Sequence, residues 1–117
     1  MHFPPDAAAV HTARRYVRDC LASQGLASFT AEMIVSELMA NVIRHAGSPV
    51  TVSVHVGHSI RIEVHDDSRA LPSIMEADED AECGRGLAIV DALASRWGVR
   101  PTEAGKCVWV EMDPTSP

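Results

Sequence analysis

Glu37, Asn41 and His45 in "SELMANVIRHAG" recur every fourth residue, a spacing that puts them on one side of a helix. On a wheel of about 100° per residue, Met33, Ile34, Val35, Leu38 and Val42 mark an apolar arc, and the three polar groups fall inside it. A carboxylate in such a place is costly unless it is paired or bound to something. Two arrangements satisfy that rule. In one, the helix end lies at a wet rim and the groups hydrogen-bond locally. In the other, Glu37 and Asn41 point into a ligand pocket between the helix and a sheet.

Two further stretches carry chemistry. "IEVHDDS" ends a strand on Asp66 and Asp67. Strand ends that border a helical layer line ligand pockets, although paired aspartates also serve as turn formers. "CGRGLAIV" sets Gly84 and Gly86 just before an apolar helix. Glycines let a backbone come close to a ligand, and a helix start offers free N–H groups and the positive end of a dipole, a combination suited to phosphate. A plain loop would use the same glycines. No GK[ST] follows, so this is not a P-loop, and no strand directly precedes it, so it is not a dinucleotide fingerprint. A metal hydrolase built on His55, His58 and His65 is disfavoured, because alternation puts His55 and His58 on opposite faces and Gly57 turns the chain between them.

Several elements must position these residues. Asp6 caps a first helix over about 7–23, with Ala9, Val10, Ala13, Tyr16, Val17 and Cys20 at helical spacing and Gly25 as its stop. A second helix runs through "SFTAEMIVSELMANVIRHAG", with Thr30 as its cap and Gly47 as its end. "VTVSVHV" and "IRIEVHD" alternate as strands joined by a short "GHS" turn, with Ile60, Ile62 and Val64 on one face. "DSRALPSIMEADEDAECGRG" reads as a mobile acidic loop, "LAIVDALASRW" as a third helix, "GVRP" and "KCVWVEM" as closing strands, and "DPTSP" as a frayed tail. Turns this short cannot make parallel crossovers. The order therefore gives an α+β two-layer sandwich, a mixed or mostly antiparallel sheet with helices on one face.

The totals set bounds. A chain of 117 residues, 46% of them hydrophobic, fits one domain over 1–117 with one core. A net charge of −6 disfavours direct nucleic-acid binding. Cys20, Cys83 and Cys107 form no CxxC pair and read as reduced thiols of a cytoplasmic protein. The first residues lack the pattern of a signal peptide, and no apolar run reaches membrane-spanning length.

Taken in order, "ELMANVIRHA", "DDS" and "GRGLAIVDALASRWGV" resemble the N box and the two glycine boxes of the GHKL ATPases, whose ATP-binding fold is a two-layer α/β sandwich. The small size is similar to the anti-sigma-factor serine/threonine kinase branch. The resemblance implies ATP and Mg²⁺ as cofactors. It makes Asn41 the Mg²⁺ ligand, Glu37 the general base toward a serine hydroxyl or water, and Asp66 the acceptor for the adenine amino group. Ser68, Gly84, Arg85, Gly86 and Leu87 then belong to the nucleotide site, and Arg69 to Cys83 to the ATP lid. His45 supports the pocket or simply ends the helix, where a cation suits the dipole.

That branch also implies partners: a sigma factor, a STAS-type anti-sigma antagonist that is phosphorylated on serine, and a second copy in a homodimer. Arg14, beside Arg15 and Arg18, falls near a partner-contacting position on the first helix. The chain departs from the family at three places. "DDSRA" lacks the glycines of the first box, Gly105 is followed by Lys106 and Cys107 where many relatives have threonine, and the lid is acid-rich. These differences bear on nucleotide affinity and turnover rather than on the fold. They keep open a second reading, a non-catalytic binding module of the same fold.

Overall fold

The computed structural model describes residues 1–68 and 81–117, and of residues 81–86 the backbone alone. Two alternating segments form its centre. β2 (Val50–Val56) and β3 (Ile60–Asp66) pair antiparallel across the turn at 57–59. Val50, Val52, Ile60, Ile62 and Val64 all turn to one face and are buried there. β5 (Lys106–Met112) joins the other edge of β3, and β4 (Arg96–Pro101) closes that side. β1 (His2–Phe3) pairs with β2, which gives the order β1-β2-β3-β5-β4 with every pair antiparallel.

Three helices cover the apolar face. α1 (Ala7–Ala22) starts where expected, because the Asp6 carboxylate accepts the Ala9 N–H at 2.9 Å. It stops at Gly25, which adopts φ 71°. α2 (Phe29–His45) packs against α1, β3 and α3. Gly47 ends it with φ 60° while its N–H donates to Val42 O. α3 is Ala81–Leu93. The α+β sandwich with helices on one face is therefore the observed architecture.

The open face of the sheet holds itself together with charge. Glu111 takes Arg96 through both of its oxygens, at 2.7 and 3.2 Å, and Arg61 at 2.8 Å. Arg61 also donates to Glu63 at 2.8 Å. Both guanidiniums stand over the Trp109 ring, at 4.7 and 5.7 Å from its centre. Gly98 lies opposite Trp109, and a Cβ there would press into the indole.

Five expectations are corrected. β1 went unread because two residues carry no alternation; Phe3 is buried beside Tyr16 and anchors it. α2 begins at Phe29 rather than after a Thr30 cap. Ser28 holds the cap position, but its hydroxyl donates to the Glu32 carboxylate at 2.7 Å, and Thr30 is buried in the first turn. α3 begins before the two glycines instead of after them. Each glycine costs about 1 kcal/mol in a helix without forbidding one. It also ends at Leu93, because Arg96 and Trp97 pair with Glu111 and Val110 as strand. The tail is ordered rather than frayed: Asp113 accepts from Thr115, and Phe29 N–H donates to Pro117 O at 2.8 Å, supplying the cap that α2 lacks. Of the acidic loop and lid, residues 69–80 lie outside the described residues.

Candidate functional site

Asp66 ends β3 in phase with Ile60, Ile62 and Val64, so its carboxylate turns to the helical side and is fully buried. Its register partner is Lys106, itself buried, in phase with Val108, Val110 and Met112. The Lys106 ammonium stands 3.0 Å from each carboxylate oxygen. It donates to Oδ1, which also accepts the Ser68 N–H at 2.8 Å. Oδ2 lies within ion-pair distance yet accepts no hydrogen bond of good geometry among the described residues. A buried carboxylate oxygen left in that state is suited to a ligand N–H donor.

Gly105 permits this arrangement. A Cβ on it would collide with the backbone of Asp66 and Asp67, so only glycine lets the turn after β4 press against the end of β3. A second link joins this strand end to α2. Ser48, just past the helix, accepts the Asp67 N–H on its hydroxyl at 3.0 Å.

The polar stripe on α2 sits at the border of the buried arc, not inside it. The arc runs through Ala31, Ile34, Val35, Leu38, Met39 and Val42, while Met33 is exposed, which rotates the apolar face away from Glu37. Glu37 and Asn41 are half-buried and His45 is exposed in the last turn. Glu37 makes no hydrogen bond or ion pair with a described residue. A half-sheltered carboxylate without a partner can take a proton from an incoming group.

The other expected residues fall as follows. Ser68 joins Asp66 through its backbone N–H. Gly84, Arg85 and Gly86 have helical backbone in α3, which lies against α2, and Leu87 is buried. Arg14 is exposed on α1 beside His11, Arg15 and Arg18, with its Nε 3.9 Å from Glu32.

Two charged residues escaped the sequence reading. Lys106 had a signal, since alternation in "KCVWVEM" puts a lysine on the buried face. Glu32 had little, because its ionic partners Arg14 and Arg18 come from another helix and only Ser28 is local. Arg18 donates to Glu32 at 2.8 Å, and this bond, helped by the Ser28 hydroxyl and Arg14 and opposed by burial, holds the Glu32 carboxyl below the usual range.

A family model of the histidine kinase-like ATPase domain matches residues 3–112, and the chain belongs to that family. It is also similar to an uncharacterized protein of Streptomyces coelicolor, 40% identical over 72 residues, covering 56% of this chain and 68% of the relative. Membership of an ATPase family implies ATP binding. No helix among the described residues is long and apolar enough to cross a membrane.

Proposed function

We propose that the chain is an ATP-dependent protein serine/threonine kinase of the anti-sigma-factor type. It would phosphorylate a STAS-type antagonist and bind a sigma factor in turn. The observation that carries this reading is Glu37: half-buried, unpartnered among the described residues, and one turn before Asn41 on the side of α2 that borders the core. In the reaction, the substrate serine loses its proton to Glu37 as its oxygen bonds to the γ-phosphorus, and ADP leaves with the electrons of the broken bond. Such transfer depends on positioning and charge stabilisation, which a small domain can supply. Asn41 would hold Mg²⁺, which supplies charge neutralisation at the phosphates. Asp66, through Oδ2, would take the adenine amino group, with Ser68 beside it.

Gly84 to Leu87, in the second turn of α3, would lie on the phosphate side of the site. The exposed arginines of α1, Arg14 among them, suit a protein partner or the second copy of a homodimer. Titration of ATP with and without Mg²⁺, beside Asn41→Ala, tests the nucleotide site. Label transferred from γ-labelled ATP to an antagonist, and lost in Glu37→Ala, tests the kinase. Mg²⁺-dependent binding with no transfer to any partner would leave a regulatory module. That second reading is favoured by one observation, the Lys106 ammonium already paired with the carboxylate assigned to adenine.

A further inference from the structure

The open face of the sheet carries a second group of chemically capable side chains, remote in direction from the Asp66 carboxylate. His65 and Cys107 are direct register partners on the two central strands, and Glu63 precedes His65 by two residues on the same face. One ligand atom from each of the three lies within 4.8 Å of the others. His65 Nε2 and Glu63 Oε1 are 3.3 Å apart. Two such ligands on one tetrahedral ion, at their usual bond lengths of about 2.0–2.1 Å, sit about 3.4 Å from each other. We infer that Glu63, His65 and Cys107 form a binding site for a borderline divalent transition metal of the Zn²⁺ type.

The donor set decides the class of metal. One thiolate, one imidazole and one carboxylate suit Zn²⁺ or Co²⁺, whereas Mg²⁺ and Ca²⁺ prefer oxygen alone. The surroundings are built for it. Arg61 holds Glu63 through Oε2 at 2.8 Å, which fixes the carboxylate and leaves Oε1 toward the imidazole. Arg100 is the register neighbour of Cys107 and opposes, without overcoming, the upward push that burial and then Glu63 put on the thiol, so the metal itself would have to displace the thiol proton. All three ligands stand on paired strands rather than on loops, so little ordering is needed. His65 is a third exposed and borders a cavity of ≈ 450 Å³ lined also by His2, Thr51, Asp67 and Thr102. That cavity reaches the three ligands at the His65 ring. On binding, metal–sulfur, metal–nitrogen and metal–oxygen bonds form, the thiol proton leaves to solvent, and the imidazole keeps its proton on Nδ1.

The test is a Co²⁺ titration of the full chain, reduced and stripped with a chelator. One equivalent should give a sulfur-to-metal charge-transfer band and intense four-coordinate d–d bands, both displaced by Zn²⁺. Cys107→Ser should abolish the charge-transfer band, while Cys20→Ser and Cys83→Ser keep it. His65→Gln and Glu63→Gln should each weaken binding by at least about tenfold, and Asn41→Ala should leave it unchanged. X-ray absorption of the wild-type zinc form should show one sulfur among nitrogen and oxygen ligands, which needs no variant to fold. The inference is overturned by the absence of a saturable band up to about 1 mM Co²⁺, by a band that survives Cys107→Ser, or by a zinc shell without sulfur.

Discussion

Lys106 stands opposite Asp66 in the β3–β5 register and holds its ammonium 3.0 Å from both carboxylate oxygens, with each side chain almost wholly out of solvent. Removing one partner of such a pair strands the other charge, at a cost of about 3–5 kcal/mol. Lys106→Met should therefore lower the unfolding free energy by that amount in urea titrations. If Asp66 is the adenine acceptor, the same change should tighten ATP binding by about tenfold, because the carboxylate no longer has a resident counter-ion. Loss of stability with no change in affinity would place the nucleotide elsewhere.

Gly105→Ala should be destabilising although the substitution is small. The added methyl meets main-chain atoms of Asp66 and Asp67, which cannot swing aside like a side chain. Overpacking of this kind costs about 1–3 kcal/mol, and thermal unfolding measures it. The variant should also lose ATP affinity, because the end of β3 must shift.

Glu37→Gln separates chemistry from binding. The amide keeps the shape and cannot take a proton. Phosphotransfer to an antagonist should fall by about 10²–10⁴, the usual contribution of a general base, while calorimetric ATP affinity stays within about twofold. Equal loss of both would assign Glu37 to binding.

Acid should weaken the fold through identifiable carboxylates. Glu32 is held below the usual glutamate value of 4.5, first by the Arg18 hydrogen bond, and Glu63 is held below it, first by Arg61. A lowered folded value means that the stability from each group is complete above about pH 4.5 and disappears as pH falls through that lower value. Urea midpoints should hold from pH 7 to 5 and drop below 4.5. Glu32→Gln should be less stable at pH 7, with a shallower acid slope.

The sheet's alternation and the helix stops were legible because each is local: Asp6, Gly25 and Gly47 act on their immediate neighbours. What escaped is non-local. β1 exists only because Phe3 finds Tyr16 and β2. The α2 cap comes from Pro117, far along the chain. The phase of α2 was misjudged because Met33 looks apolar and yet faces water. At the candidate site, Ser68 N–H bonds the Asp66 carboxylate, and the buried lysine opposite them was legible in the alternation of "KCVWVEM", of which it is the first residue. Glycines 84 and 86 suggested a break before the helix, while the backbone continues through them.

The ladder of Arg61, Arg96, Glu63 and Glu111 around Trp109 is electrically self-contained, two cations against two anions. A protein approaching it would have to break finished ion pairs before making its own. On the helical layer Arg14 and Arg18 are engaged with Glu32, whereas Arg15 faces outward with no ion pair to a described residue and is the less committed charge. An encounter that depends on ionic strength should therefore map to α1, and the back of the sheet should behave as a shield that keeps neighbouring copies from stacking through it.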